Sequence, residues 1–282
     1  MSDRRSTPMN ARVAAAHLMQ VPAGVKRVRP QTMRVTWPVV DLLRAPGEAR
    51  DRQLLYGETV DRYETHRGHS FVQARKDGYV GYLPDAALGP EQTPTHWVSA
   101  PATHLYAAPD IKSPDRQMLS FGSLVTVRSE TGAFVETAQG FVPRVHLRVI
   151  ADRLDDPVAV ARLFLGTPYL WGGNSRLGID CSGLVQAALL ACGHPCPGDS
   201  DQQQATLGQR LEPGTTPQRG DLLFWKGHVA LVSGRDRLIH ANAHHMAVRD
   251  EPLQAALTRI KALGDGAVTA HLRPCLPPAS GA

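Results

Sequence analysis

A cysteine that opens a helix pattern, and two histidines at the ends of neighbouring strand patterns, are the residues here with the makings of a covalent catalyst. Cys181 stands in Asp180-Cys181-Ser182-Gly183, directly before the apolar run Leu184-Val-Gln-Ala-Ala-Leu-Leu-Ala-Cys192. Free N–H groups and the positive dipole end at a helix N-terminus favour a thiolate, the form that attacks a carbonyl. The same N–H groups can donate to the oxyanion that forms on attack. A lone cysteine is ordinarily a small core residue, so the histidines decide. His228 begins the alternating run His228-Val-Ala-Leu-Val-Ser233, and Ile239-His240-Ala241 closes the next run. A hairpin turning around Gly234 would set Val232 against Asp236, Ala230 against Leu238 and His228 against His240. Opposed residues share a face, with Cβ atoms about 4.5–5.5 Å apart. One imidazole would then act as base toward Cys181, and the other would hold it in its tautomer and orientation.

The elements that must carry these residues are legible from residue 151 onward. Asp155-Asp-Pro-Val reads as a helix start, with an Asp cap, Pro at the first helical position and Gly166 as the stop. A second helix is expected from Cys181 to Cys192, ended by Gly193. A third starts at Ser200, where Ser200 and Gln203 have the spacing of a capping box. Strand patterns follow at 221–225, 228–233, 238–241 and 246–249. Helices first and antiparallel strands after them indicate an α+β domain over residues 151–275, with a flexible tail at 276–282.

The preceding residues read differently. Short Val-, Leu-, Tyr- and Phe-rich runs are separated by Gly, Pro and Asp, and they repeat. Val39 to Pro46 is echoed by Thr103 to Pro109, Ser70-Phe-Val-Gln-Ala74 by Ala133-Phe-Val-Glu-Thr137, and Asp77-Gly-Tyr-Val-Gly-Tyr-Leu83 by Gln139-Gly-Phe-Val-Pro143. Each copy has about five short strands, the size of a small half-open barrel, at 31–90 and at 91–150. Residues 1–30 are expected to form a polar arm.

Composition sets outer bounds. The 282 residues are 42% hydrophobic and 20% charged, an ordinary globular balance. The net charge of +5 is spread out and comes with no nucleic-acid motif. No apolar run approaches the roughly 20 residues of a membrane span, and Val13 to Ala16 is too short for a secretion signal. Cys181, Cys192, Cys196 and Cys275 make no paired framework, so a reducing, cytoplasmic setting is expected. His194 between Cys192 and Cys196 lacks a second ligand pair at zinc spacing, so no metal or other cofactor is expected.

Taken together, several segments resemble the NlpC-type cysteine peptidases of bacteria. They are Gly166-Thr-Pro-Tyr-Leu-Trp-Gly-Gly173, Gly178-Ile-Asp-Cys-Ser-Gly183, Gly220-Asp-Leu-Leu-Phe224, Gly227-His-Val-Ala-Leu231 and Ile239-His-Ala241. The resemblance spans about 155–250 and implies a papain-like α+β fold. It assigns Cys181 as nucleophile, His228 as general base, His240 as the third, polar member and Tyr169 as an active-site tyrosine. The repeated segments resemble bacterial SH3-like domains. Two such barrels before this domain resemble γ-D-glutamyl-diamino-acid endopeptidases acting on muropeptides, peptides released from peptidoglycan. That likeness implies that Asp180 and Ser182 hold a free N-terminal amine and that Asp199 and Ser200 line the pocket. Gly198 stands where an Arg is common in that family. The first barrel is implied to contribute a tyrosine, with Tyr79 first and Tyr82 second. Two other functions remain open: a wall-binding hydrolase of intact peptidoglycan, and a non-catalytic adaptor whose barrels bind peptides.

Overall fold

The computed structural model describes residues 3–264 and 266–275, so the tail expected at 276–282 lies outside the described residues. The chain divides into two compact units, 1–152 and 153–282. No helix among the described residues is long and apolar enough to cross a membrane.

Among the described residues, the first unit has no α-helix, only strands, turns and short 3-10 turns. Its first sheet runs in the order Arg50–Leu55, Val39–Leu43, Val80–Pro84, His69–Ala74, Thr59–His66, Gln31–Val35 and Leu88–Pro90. Alternation along these strands buries Val35, Val40, Leu42, Leu54, Val60, Val72 and Leu83 in one core. A second sheet repeats the order with Asp115–Ser120, Ala102–Tyr106, Gly140–Pro143, Phe134–Thr137 and Ser129–Thr131. The echoed sequences thus occupy equivalent places. A separate three-stranded sheet, with His96–Val98 at its centre, completes the second copy.

The break expected at 90/91 is not one between compact units. Tyr56, from the first copy, is buried in the second copy's core with Val98, Leu105 and Leu119. Its hydroxyl donates to the Gln139 side chain at 2.7 Å. Next to it, Gly57 lies so close to the Leu124 carbonyl that a Cβ would meet that oxygen at 2.0 Å.

The polar arm is also corrected. Val13–Ala15 pairs in parallel with Lys26–Val28, and Val13 and Ala15 join Tyr63, Phe71 and Val80 in a further apolar cluster. An apolar stretch too short for a secretion signal is long enough for one edge strand.

The second unit is α+β. Helix α1, Pro157–Arg162, starts where the Asp-Pro signal places it, with the Asp156 side chain accepting from the Val158 N–H. Helical bonding ends at Arg162 and the chain reaches Gly166 through turns, so Gly166, at φ +78°, is a turn residue rather than the helix stop. Helix α2, Cys181–Ala191, ends as expected with Cys192 at its cap and Gly193 at φ +79°. Nearly all of α2 is buried, which explains why its sequence is apolar all round.

Helix α3, Ser200–Thr206, begins at Ser200, but the capping box is absent. Asp199 occupies the cap position and Ser200 is already helical, one residue too late for the motif. The Gln203 side chain instead donates to the carbonyls of Ser182 and Pro197, each at 2.9 Å.

Six antiparallel strands follow in the order Gln209–Arg210, Ala270–Arg273, Leu222–Trp225, His228–Gly234, Arg237–Asn242 and Ala247–Pro252. Helix α4, Leu253–Ala262, packs Leu253, Ala256 and Ile260 against Leu223, Trp225, Ala230, Val232 and Leu238 of this sheet. Neither α4 nor the Ala270–Arg273 strand is among the elements expected from the sequence.

Candidate active site

The two histidines lie on adjacent central strands. Their register differs from direct opposition. Val232 pairs with Leu238 and Leu231 with Ile239, with a bulge between Val232 and Gly234. The turn tightens to Arg235-Asp236, with Asp236 at φ +56°. This moves His240 two residues from the position expected opposite His228. A shift of two preserves the face, because strand side chains alternate with period two. The imidazoles still meet diagonally: His228 Nε2 and His240 Nδ1 are 2.8 Å apart.

Burial, the neighbouring His240 and the Arg259 charge push His228 down to about 3, with Glu251 pulling the other way. Its ring is therefore neutral near pH 7. His240 is completely buried, and burial lowers its value too.

Behind His240 lies a group that no sequence motif marks. His240 Nε2 is 2.7 Å from Glu251 Oε1. Glu251 also accepts from Arg259 of α4, at 2.5 Å from Nη1 and 2.7 Å from Nη2. Burial alone would raise this carboxyl. The Arg259 guanidinium and His240 outweigh it and hold Glu251 well below the usual carboxylate range. The register of the last hairpin could have revealed Glu251. His240 pairs with Arg249 and Leu238 with Glu251, so 249 and 251 share the face of His240.

The cysteine end is built on the first turn of α2. Asp180 is the N-cap, and its carboxylate accepts from the N–H of Gly183 at 2.6 Å, the N–H of Gly172 at 2.9 Å and the Ser182 hydroxyl at 3.1 Å. Asp180 is thus partnered even without a substrate amine, which the sequence alone does not show. Cys181 follows, 5% exposed. The loop before it is held against this turn by backbone contact: a Cβ on Gly183 would meet the Gly173 carbonyl oxygen at 2.5 Å. Helix α2 packs on both histidine-bearing strands.

Tyr169 belongs to the same cluster. Burial, then the charges of Cys181 and Asp180, push its phenol well above the usual value. Its N–H donates to the Met246 carbonyl at 2.9 Å, joining the loop to the turn after the His240 strand. Trp171, nearby in sequence, is 66% exposed and takes no part in a core. The bond from Gln203 to Ser182 fixes α3, with Asp199 and Ser200 at its start, against the first turn of α2. Tyr79 is buried in the first barrel's core, and the Tyr82 ring packs 5.0 Å from that of Phe71. No cluster of metal-ligating side chains occurs among the described residues.

A model of the NlpC/P60 family matches residues 166–261, the stretch that carries Cys181, His228 and His240. Residues 166–261 therefore form an NlpC/P60 domain. Residues 42–88 match the bacterial dipeptidyl-peptidase Sh3 domain. The chain is 34% identical over 191 residues to a gamma-D-glutamyl-L-lysine dipeptidyl-peptidase of Bacillus subtilis, covering 60% of this chain and 62% of the relative. It is 27% identical over 205 residues to a Bacillus cereus protein of the same name, covering 63% and 61%. It therefore spans about three fifths of the length of these relatives. A crystal structure of an NlpC/P60 family protein from Bacillus cereus superposes with a TM-score of 0.74 at 20% identity, covering 88% of this chain and all of the other. That likeness speaks for the fold alone, papain-like with SH3-like β domains.

Proposed function

We propose that this protein is a cysteine endopeptidase that hydrolyses the γ-D-Glu–diamino acid bond of peptidoglycan stem peptides with a free N-terminal L-Ala. The observation that carries the reading is the neutral His228–His240 pair on strands packed against the helix that Cys181 opens. In this reading His228 takes the Cys181 proton and the thiolate attacks the γ-carbonyl of D-Glu. N–H groups of the first turn of α2 stabilise the oxyanion. Collapse expels the diamino acid's amine, which takes the proton from His228. Water, deprotonated by the same imidazole, then releases the acyl group and restores the thiol.

Asp180, Ser182 and Tyr169, grouped around Cys181, form the surface on which the substrate amine would rest. The names of the two Bacillus relatives support the choice of bond. Incubation with L-Ala-γ-D-Glu-L-Lys and with intact sacculi, followed by mass spectrometry, tests it. Release of L-Ala-γ-D-Glu from the tripeptide, with sacculi cut far more slowly, is expected. Cutting of sacculi as fast as the tripeptide would favour the wall-hydrolase function.

A further inference from the structure

The acid–base chemistry proposed above requires His228 to present an unprotonated nitrogen to Cys181, and two histidines in contact do not by themselves choose their tautomers. Glu251 and Arg259 make that choice. An ionised carboxylate only accepts hydrogen bonds. With Glu251 Oε1 at 2.7 Å, His240 Nε2 must carry the proton of its neutral ring. His240 Nδ1 is then an acceptor. His228 Nε2, 2.8 Å away, must be the donor. A neutral His228 so arranged keeps Nδ1 unprotonated, and Nδ1 is the nitrogen not engaged by His240.

We propose that Glu251, paired with Arg259, is a positioning residue that sets the tautomers of His240 and His228 in series and so presents His228 Nδ1 as the base. The proposal rests on the reading of Cys181 and His228 as nucleophile and base. Every other charged or titratable group recorded against Glu251 fits the scheme. Arg259, from α4, binds both carboxylate oxygens. His245, from the preceding turn, stays 4.0 Å from Oε1 and has its Nδ1 3.1 Å from the Asn242 side-chain oxygen. Arg249, on the same strand, is exposed.

Two measurements on the full chain test this. Ring nitrogen-15 NMR near neutral pH should show both His228 and His240 protonated at Nε2. A proton on His240 Nδ1 would overturn the proposal, and this readout needs neither substrate nor variant. Glu251→Gln replaces an acceptor-only group by an amide that also donates. It should mix the tautomers and lower kcat by roughly 10–100-fold, the size that loss of the partner orienting a metal-bound imidazole typically costs, while KM holds. Unchanged kcat, or a lowered kcat with wild-type tautomers, would contradict it. Cys181→Ala is assayed alongside. If that variant retains activity, the nucleophile assignment fails, whereas the NMR result decides the tautomers independently.

Discussion

At the scale of single residues, the four cysteines differ in what surrounds them. Burial pushes the Cys192 thiol up to about 12, with Asp156 and Asp155 adding to the effect, so it stays protonated at neutral pH. Cys196 is buried, whereas Cys275 is exposed. Iodoacetamide should therefore label Cys275 readily, and in a Cys275→Ser protein the next label should fall on Cys181 near pH 7. Peptide mapping that finds Cys192 or Cys196 labelled first would contradict the assignment. The histidine pair makes a second prediction. Between about 3 and the ordinary imidazole value of 6.5, the unfolded chain holds a proton that folded His228 does not. Stability must then fall as pH falls through that window, by up to about 1.4 kcal/mol per pH unit for this one group. Glu251, held low, adds loss in the same direction below its unfolded value of 4.5. Chemical denaturation from pH 7 to pH 4 should show the decline, and His228→Ala should flatten it. A wild-type profile level over that range would contradict the burial of a neutral ring.

At the scale of elements, what was legible in the sequence depended on how local the signal is. Both ends of α2 are readable because Asp180, Gly193 and the apolar run between them are all local. The capping box at Ser200 failed because a buried carbonyl of α2 was a better partner for Gln203 than its own helix, a tertiary fact. The histidine contact was readable through parity, which survives a two-residue error in register. Glu251 and Arg259 carry no local signal, since Arg249-Asp-Glu251 reads as an ordinary charged surface. Yet Leu253, Ala256, Leu257 and Ile260 have helical spacing, and α4 could have been recognised from them. The joint between Gly173 and the first turn of α2 gives a prediction at this scale. Gly183→Ala drives a Cβ into a backbone carbonyl at 2.5 Å, a contact no rotamer relieves. The cost should be about 1–3 kcal/mol of overpacking, measured as a lower Tm, with the Cys181 turn displaced and activity lost. A variant with wild-type Tm and kcat would show that the close approach does not position the turn.

At the scale of the whole molecule, two SH3-like copies share one unit because Tyr56 of one is built into the core of the other. The repeat was legible because alternation and turn residues recur along the chain. The sharing was not, because a single buried tyrosine has no sequence signature. Substrate selection belongs to this scale as well. Asp180 already accepts from Gly172, Ser182 and Gly183, so an acetylated peptide does not strand a bare buried charge. It forgoes one charge-assisted hydrogen bond, worth about 1.5–3 kcal/mol, or roughly 10–100-fold in kcat/KM. The ratio for free and N-acetylated tripeptide checks this, and a ratio near one would remove amine recognition from Asp180. Tripeptide hydrolysis by Cys181→Ala beside the wild-type protein, both confirmed folded by thermal denaturation, tests the role of the thiol most directly. Release of L-Ala-γ-D-Glu by the wild type and none above background by the variant is the expected result. Hydrolysis by the variant at the wild-type rate would exclude Cys181 as the nucleophile.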